Sequence, residues 1–354
     1  MSETNTTILI PDISGFTEFM TTTELYHSTK AINMLIDAII TAVGDEYEVS
    51  EIEGDAVLLI RKGPAPSQKE VQDICLRIFN AFHFRRGWME QYTVCPCGAC
   101  QSLFNLTLKF VVHHGPLAEI KVGRFIKQSG PEMIVAHRLL KNSIGNNEYL
   151  LLTEKLLKDD TGHSETTDMQ WSSSSEEYTS IGKIDYRFTL LNEARKNVPQ
   201  PPAPKRDYKT DDTPYYELKI AANIMDVYMA IMNIPERHTW FESLKSVEQE
   251  MNEVFLGSTH HCIFEQFVSI VSPLSMRTSD KKIVYAEQCS IQELNLSLVH
   301  EFVFKKIDPN HTSFSTRLLN AGESAIPIEI FEKMTNQMKE MADQLKVYSE
   351  AARQ

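Results

Sequence analysis

Two aspartates sit where a carboxylate can do chemistry. Asp12 ends the apolar run of "TTILIPDISGFTEFM", with Gly15 close behind it. Asp55 lies in "YEVSEIEGDAVLLIR", where two apolar runs break at Gly54-Asp55, the signature of a hairpin with Asp55 at its tip. A right-handed crossover through one helix can return that hairpin beside the first strand, so that the two carboxylates face each other. Such a pair repels unless a divalent cation neutralises it, and hard oxygen ligands favour magnesium or manganese. Ser14, Gly15, Phe16 and Thr17 then offer small residues and exposed backbone N–H groups ahead of a helix, a setting that suits phosphate. Ordinary roles compete: a helix cap for Asp12 and a turn residue for Asp55. Spacing alone leaves both readings open.

A second cluster is "CPCGAC", with Cys95, Cys97 and Cys100. Three thiols this close can converge on one soft cation, and zinc would take a fourth ligand such as Cys75, His83, His113 or His114. A loop with reduced or transiently oxidised thiols is the competing reading. A structural zinc pinning the loop is the preferred form of the metal reading. The other cysteines are scattered, and a disulfide scaffold is not expected in a chain of 354 residues.

The elements that would position these groups follow from periodicity. "TILI" reads as a buried strand, and Leu25, Ile32, Ile36, Ile39 and Val43 follow helical spacing up to Gly44. "VQDICLRIFNAFHFRRGWMEQ" reads as a second helix, "LFNLTLKFVVHHG" as a strand and "EMIVAHRLLKNS" as another helix. One of His113 and His114, at the end of that strand, is expected to be a satisfied core or interface histidine. "EYLLLTEKLLKD" and "YTSIGKIDYRFTLL" add further strand and helix. The sum is an α+β domain of ferredoxin-like β-α-β-β-α-β order. Residues 159 to 177, polar and serine-rich, read as a long loop inside it, and "KNVPQPPAPKRDYKTDDTP" as a semi-extended linker.

The boundaries expected are therefore 1–195, a proline-rich linker at 196–213, and 214–354. In the last region a strand and a helix precede a run of strands, and a long helix closes the chain. Its apolar stripe comprises Ile330, Met334, Met338, Met341, Leu345 and Tyr348.

A net charge of −13 speaks against sequence-independent binding to nucleic acid or anionic membrane. With no apolar stretch of about 18 residues and no secretory leader, a cytoplasmic protein without membrane insertion is expected.

"PDISGFTEF", "EIEGDAVLLI", "LKFVVHHGPL" and "EMIVAHRLL", in this order and at these intervals, resemble the catalytic domain of class III adenylate and guanylate cyclases. The resemblance spans about residues 5 to 195 and points to an uncharacterised bacterial branch. It implies that Asp12 and Asp55 hold two divalent ions against a nucleoside triphosphate, and that Ser14 to Thr17 contact its phosphates. Glu51 falls on the base-reading position, where a carboxylate suits the N1–H and amino edge of guanine. Lys127 falls near the second base-reading position. Arg138 falls on the arginine that stabilises charge developing on the phosphates. The family's site forms between two such domains, which implies a homodimer.

Ile134 departs from the pattern, because the family has an asparagine there and an aliphatic side chain cannot hydrogen-bond the ribose. Either the domain cyclises a nucleoside triphosphate with a reduced constellation, as a phosphorus–oxygen lyase, or it binds nucleotide without turnover as a regulatory protein. Residues 214–354 resemble the helix-grip superfamily of START-type carriers and polyketide cyclases. That resemblance implies an apolar cavity for a hydrophobic small molecule; Met334, Met338 and Met341 either line it or are plain core. Such a domain would sense its ligand for signalling, or carry the main function itself.

Overall fold

The computed structural model describes residues 3–158, 169–205, 207–249, 254–322 and 325–351. The chain divides into two compact units, one made of Met1–Glu90 with Cys97–Pro201, the other of Gln91–Pro96 with Pro202–Gln354.

The first unit is mixed α+β. β1 (Thr4–Ser14) is followed by α1 (Phe16–Thr22) and α2 (Leu25–Val43), then by the hairpin of β2 (Glu48–Glu53) and β3 (Ala56–Lys62). α3 (Gln68–Tyr92) and the short α4 (Gly98–Ser102) precede β4 (Thr107–Val122), β5 (Phe125–Ser129) and α5 (Pro131–Leu139). β6 (Tyr149–Thr153), α6 (Glu154–Lys158), β7 (Ser172–Tyr178) and β8 (Gly182–Leu190) complete it. The strands run in the order β2-β3-β1-β4-β6-β8-β7, with β5 paired to the far end of β4.

The order β2-β3-β1-β4, antiparallel throughout, is the split β-α-β-β-α-β arrangement expected from the sequence. β1 is central, so both of its faces are covered and "ILIPDI" reads as a continuous apolar run rather than an alternation. β7 corrects the expected loop at 159–177. Residues 172–178 pair with β8, while 159–168 lie outside the described residues. Serine and glutamate side chains on this edge strand leave it little apolar surface for further pairing.

The second unit holds β9 (Tyr216–Ile220), α7 (Ile224–Met232), β10 (Leu244–Gln249), β11 (His260–Phe264), β12 (Val268–Ser279), β13 (Lys282–Ile291), β14 (Leu296–Asp308) and β15 (His311–Asn320). The 24-residue α8 (Ile328–Ala351) closes it. Its seven strands form one antiparallel sheet in the order β10-β11-β12-β13-β14-β15-β9. Alternating burial along β12 shows that one face of the sheet carries the core. Met334, Met338, Met341 and Leu345 bury one stripe of α8, whereas Tyr348 is 43% exposed and stacks on Trp240.

The division between the units falls at Pro201–Pro202, inside the proline-rich segment. Beyond it the chain is held down, because the Tyr208 and Tyr215 hydroxyls donate to Glu301 and the Arg317 guanidinium donates to the Asp211 and Thr213 carbonyls.

Candidate functional site

Asp12 is placed by register. It lies opposite Ala56 on β3 and Lys109 on β4, and the Ile13 amide donates to the Asp55 carbonyl at 2.9 Å. The hairpin tip is a two-residue turn in which Gly54 takes φ +65°, a value a side chain would strain, as a type II′ turn requires at its first position. The Phe16 ring lies over Gly54, at 3.8 Å from where a Cβ would stand. Asp12, Asp55 and the Ser14–Thr17 turn therefore share one end of the central strand pair, as the crossover argument anticipated.

The electrostatics there are unfinished. Asp12 is 7% exposed, and burial pushes its carboxyl above the usual aspartate range. Lys109 opposes that rise and the Asp55 charge adds to it. The Lys109 ammonium lies 3.3 Å from Asp12 and also donates to the Leu140 carbonyl at 3.5 Å. Ser14 Oγ is buried and has no hydrogen-bond partner among the described residues. A buried hydroxyl two residues along the strand from Asp12, on the same face, together with two hard carboxylates is a donor set that fits magnesium or manganese.

The two base-reading candidates meet. Glu51, at a bulge in β2, accepts from Lys127 of β5 at 3.1 Å, with Lys127 the more exposed of the two. Arg138 does not join Asp12 and Asp55. It is exposed one turn beyond Ile134, itself 54% exposed, and forms no ion pair among the described residues. The polar contact from this helix to the hairpin is His137 Nδ1 to Glu53 at 3.5 Å.

Cys97 and Cys100 come together in the first unit, Cys95 being part of the second, and the side chain beside them is none of the expected candidates. It is His27 of α2, whose Nδ1 lies 3.1 Å from Cys97 Sγ and 3.7 Å from Cys100 Sγ. Hydrogen bonding to Cys100 and then Cys97 raises the imidazole pKa to about 10. The expected ligands are occupied elsewhere. His83 meets Glu148 at 2.9 Å, His113 meets Thr153 and Glu132, His114 meets Thr7, and Cys75 is wholly buried. Both histidines of the 113–114 pair are thus satisfied core residues. No disulfide forms among the described residues.

The second unit holds a partly open apolar cavity of about 90 Å³, lined in part by Phe241, Met334, Met338 and Met341. Arg237 and Glu287 form a buried ion pair at its edge, with Arg237 Nη1 donating to Glu287 at 2.9 Å and its Nε to the Ile231 carbonyl at 2.7 Å. Among the described residues, no helix is long and apolar enough to cross a membrane.

Comparison with known proteins adds the following. A family model described as a protein of unknown function, DUF2652, matches residues 32–149. The uncharacterised protein Rv2561/Rv2562 of Mycobacterium tuberculosis is 33% identical over 120 residues, which are 34% of this chain and 56% of that protein. The match thus spans little more than half the length of that relative. Among solved structures, the guanylyl cyclase Cya2 aligns with a TM-score of 0.42 at 12% identity, over 54% of this chain and 93% of the other. The adenylyl cyclase CyaB from P. aeruginosa aligns at 0.37 and 14% identity, over 53% and 95%.

Proposed function

We propose that the first unit binds a nucleoside triphosphate together with magnesium or manganese at Asp12 and Asp55, as a nucleotidyl cyclase-like protein. The observation that carries this reading is the joining of the two aspartate segments by the Ile13–Asp55 hydrogen bond, with the buried Ser14 hydroxyl, at the head of the proposed phosphate turn, lacking a partner among the described residues. Bound there, the divalent ion would offset phosphate charge and favour deprotonation of an attacking hydroxyl. Asp12 and Asp55 would hold it, and Ser14, Gly15, Phe16 and Thr17 would border the phosphates. Glu51, aligned by Lys127, would accept from the N–H edge of a purine, with guanine preferred. Ile134 and Arg138 face outward, which suits a homodimer in which the guanidinium reaches the partner's nucleotide.

A second reading, binding without turnover, is favoured by Lys109. Its ammonium already offsets Asp12, so a divalent ion must displace it or share the carboxylate. Incubation with each of the four nucleoside triphosphates and Mg²⁺ or Mn²⁺, followed by chromatography, separates the two. A cyclic product abolished by Asp55→Ala supports cyclisation, and cation-dependent binding without product supports the regulatory reading. Failure of both removes the nucleotide proposal.

For the second unit, a helix-grip-like role in holding a hydrophobic small molecule is supported by the methionine-lined cavity. Its 90 Å³ falls below the roughly 300–1,000 Å³ of drug-sized ligand pockets, which limits the occupant to a small group or requires α8 to move.

A further inference from the structure

The His27, Cys97 and Cys100 ligand atoms belong to the first unit and are already in the spacing of a coordination sphere. A tetrahedral zinc with bonds of about 2.3 Å to sulfur and about 2.0 Å to nitrogen sets its ligand atoms about 3.5–3.8 Å apart. The observed 3.1 and 3.7 Å from Nδ1 to the two sulfurs straddle that edge. The backbone is arranged as a thiolate site would need. The Cys100 amide points at Cys97 Sγ at 3.5 Å, and Gly98 and Ala99 donate to the Glu24 carboxylate at 3.3 and 3.1 Å. Cys97 is buried, so bulk water does not compete for its sulfur.

The same segment supports the nucleotide turn. After α4 the chain passes through a 3₁₀ turn at Leu103–Asn105, and the Asn105 carbonyl lies 3.2 Å from where a Cβ on Gly15 would stand. Gly15 takes φ +88°, so this close approach needs glycine twice over, for the backbone angle and for the space.

We propose that Cys97, Cys100 and His27 hold a structural zinc that fastens the first turn of α2 to the 97–105 segment on which the Gly15 turn rests. Two thiolates and one imidazole select zinc over magnesium or calcium. Binding releases the thiol protons and involves no redox step.

The test is metal analysis of the full chain purified under reducing conditions, followed by exchange with Co²⁺. One equivalent of zinc is expected, and one equivalent of cobalt should give the intense visible bands and thiolate charge-transfer absorption of a tetrahedral sulfur-rich site. His27→Ala should lower zinc affinity at least tenfold, His27→Cys should retain the metal with a shifted cobalt spectrum, and Cys289→Ser should change neither. Metal-free wild-type protein that shows only weak octahedral cobalt absorption overturns the proposal, as does a Cys97–Cys100 disulfide in its place. Because the wild-type spectrum decides on its own, a variant that fails to fold does not shelter the idea. Nucleotide binding plays no part in the readout, so this site and the nucleotide site stand or fall separately.

Discussion

The buried charges of the second unit and those around Asp12 in the first are handled in opposite ways. In the second unit each has a full set of partners. Arg237 is matched by Glu287 and the Ile231 carbonyl, and Glu301 takes donors from Arg317, Tyr208 and Tyr215. Around Asp12 the balance is incomplete, with a carboxyl pushed up by burial, one lysine shared with a carbonyl, and a serine hydroxyl without a partner among the described residues. Complete pairing serves the fold, while incomplete pairing leaves affinity for something outside the chain.

The strongest way to break this contrast is in the second unit. Arg237→Met strands the Glu287 charge in an apolar setting and should cost about 3–5 kcal/mol in a denaturant titration. Adding Glu287→Leu should recover most of it. If the single variant is as stable as wild type, the pair is not structural in the sense argued.

Next in size is Glu132 of the first unit, a fully satisfied carboxylate and a control for Asp12. His113 at 2.5 Å and Lys155 at 2.6 Å hold its pKa down to about 2 against burial. A carboxylate depressed on folding stabilises above its unfolded value of 4.5 and loses that contribution as pH falls towards 2. Its share is on the order of 3 kcal/mol, so Glu132→Gln should flatten the loss of stability between those two pH values. An unchanged acid limb would contradict the assignment. Gly115→Ala attacks the same pair, since a Cβ there would stand 2.7 Å from Glu132 Cγ. A destabilisation of about 1–3 kcal/mol is expected from thermal melts.

Lys109→Met sharpens the contrast at the candidate site. Asp12 then faces Asp55 with no ammonium beside it, so Mn²⁺ should raise the melting temperature more in the variant than in wild type. Equal shifts would mean that lysine and cation do not compete. The smallest stability effect belongs to Glu51→Gln, because the exposed pair with Lys127 is worth about 0–1 kcal/mol. Its effect should appear in the ratio of GTP to ATP binding, and an unchanged ratio would remove Glu51 from base reading.

Much of the first unit was legible because its decisive signals are local. Gly54-Asp55 between two apolar runs can hardly be anything but a tight hairpin, and the α2 stripe ends at a glycine with φ +60°. What escaped depends on backbone pairing or on distance along the chain. "SSSSEEY" carries no apolar alternation, and only its ladder with β8 makes it a strand. β5 was missed because its polar residues sit on a short extension at the end of β4. His27 lies far upstream of the cysteines, on a helix read only for its apolar face; nothing in "CPCGAC" points to it. Lys109 was visible as a residue, but its pairing with Asp12 follows from strand register across β1 and β4.

The central claim is that the incomplete charge balance at Asp12 is a site for metal-bound nucleotide. Calorimetric titration of GTP into wild-type protein and Asp12→Asn, with Mn²⁺ and with chelator, tests it most directly. The account predicts binding that requires the cation and weakens at least tenfold in the variant. Equal affinity across all four conditions would contradict it.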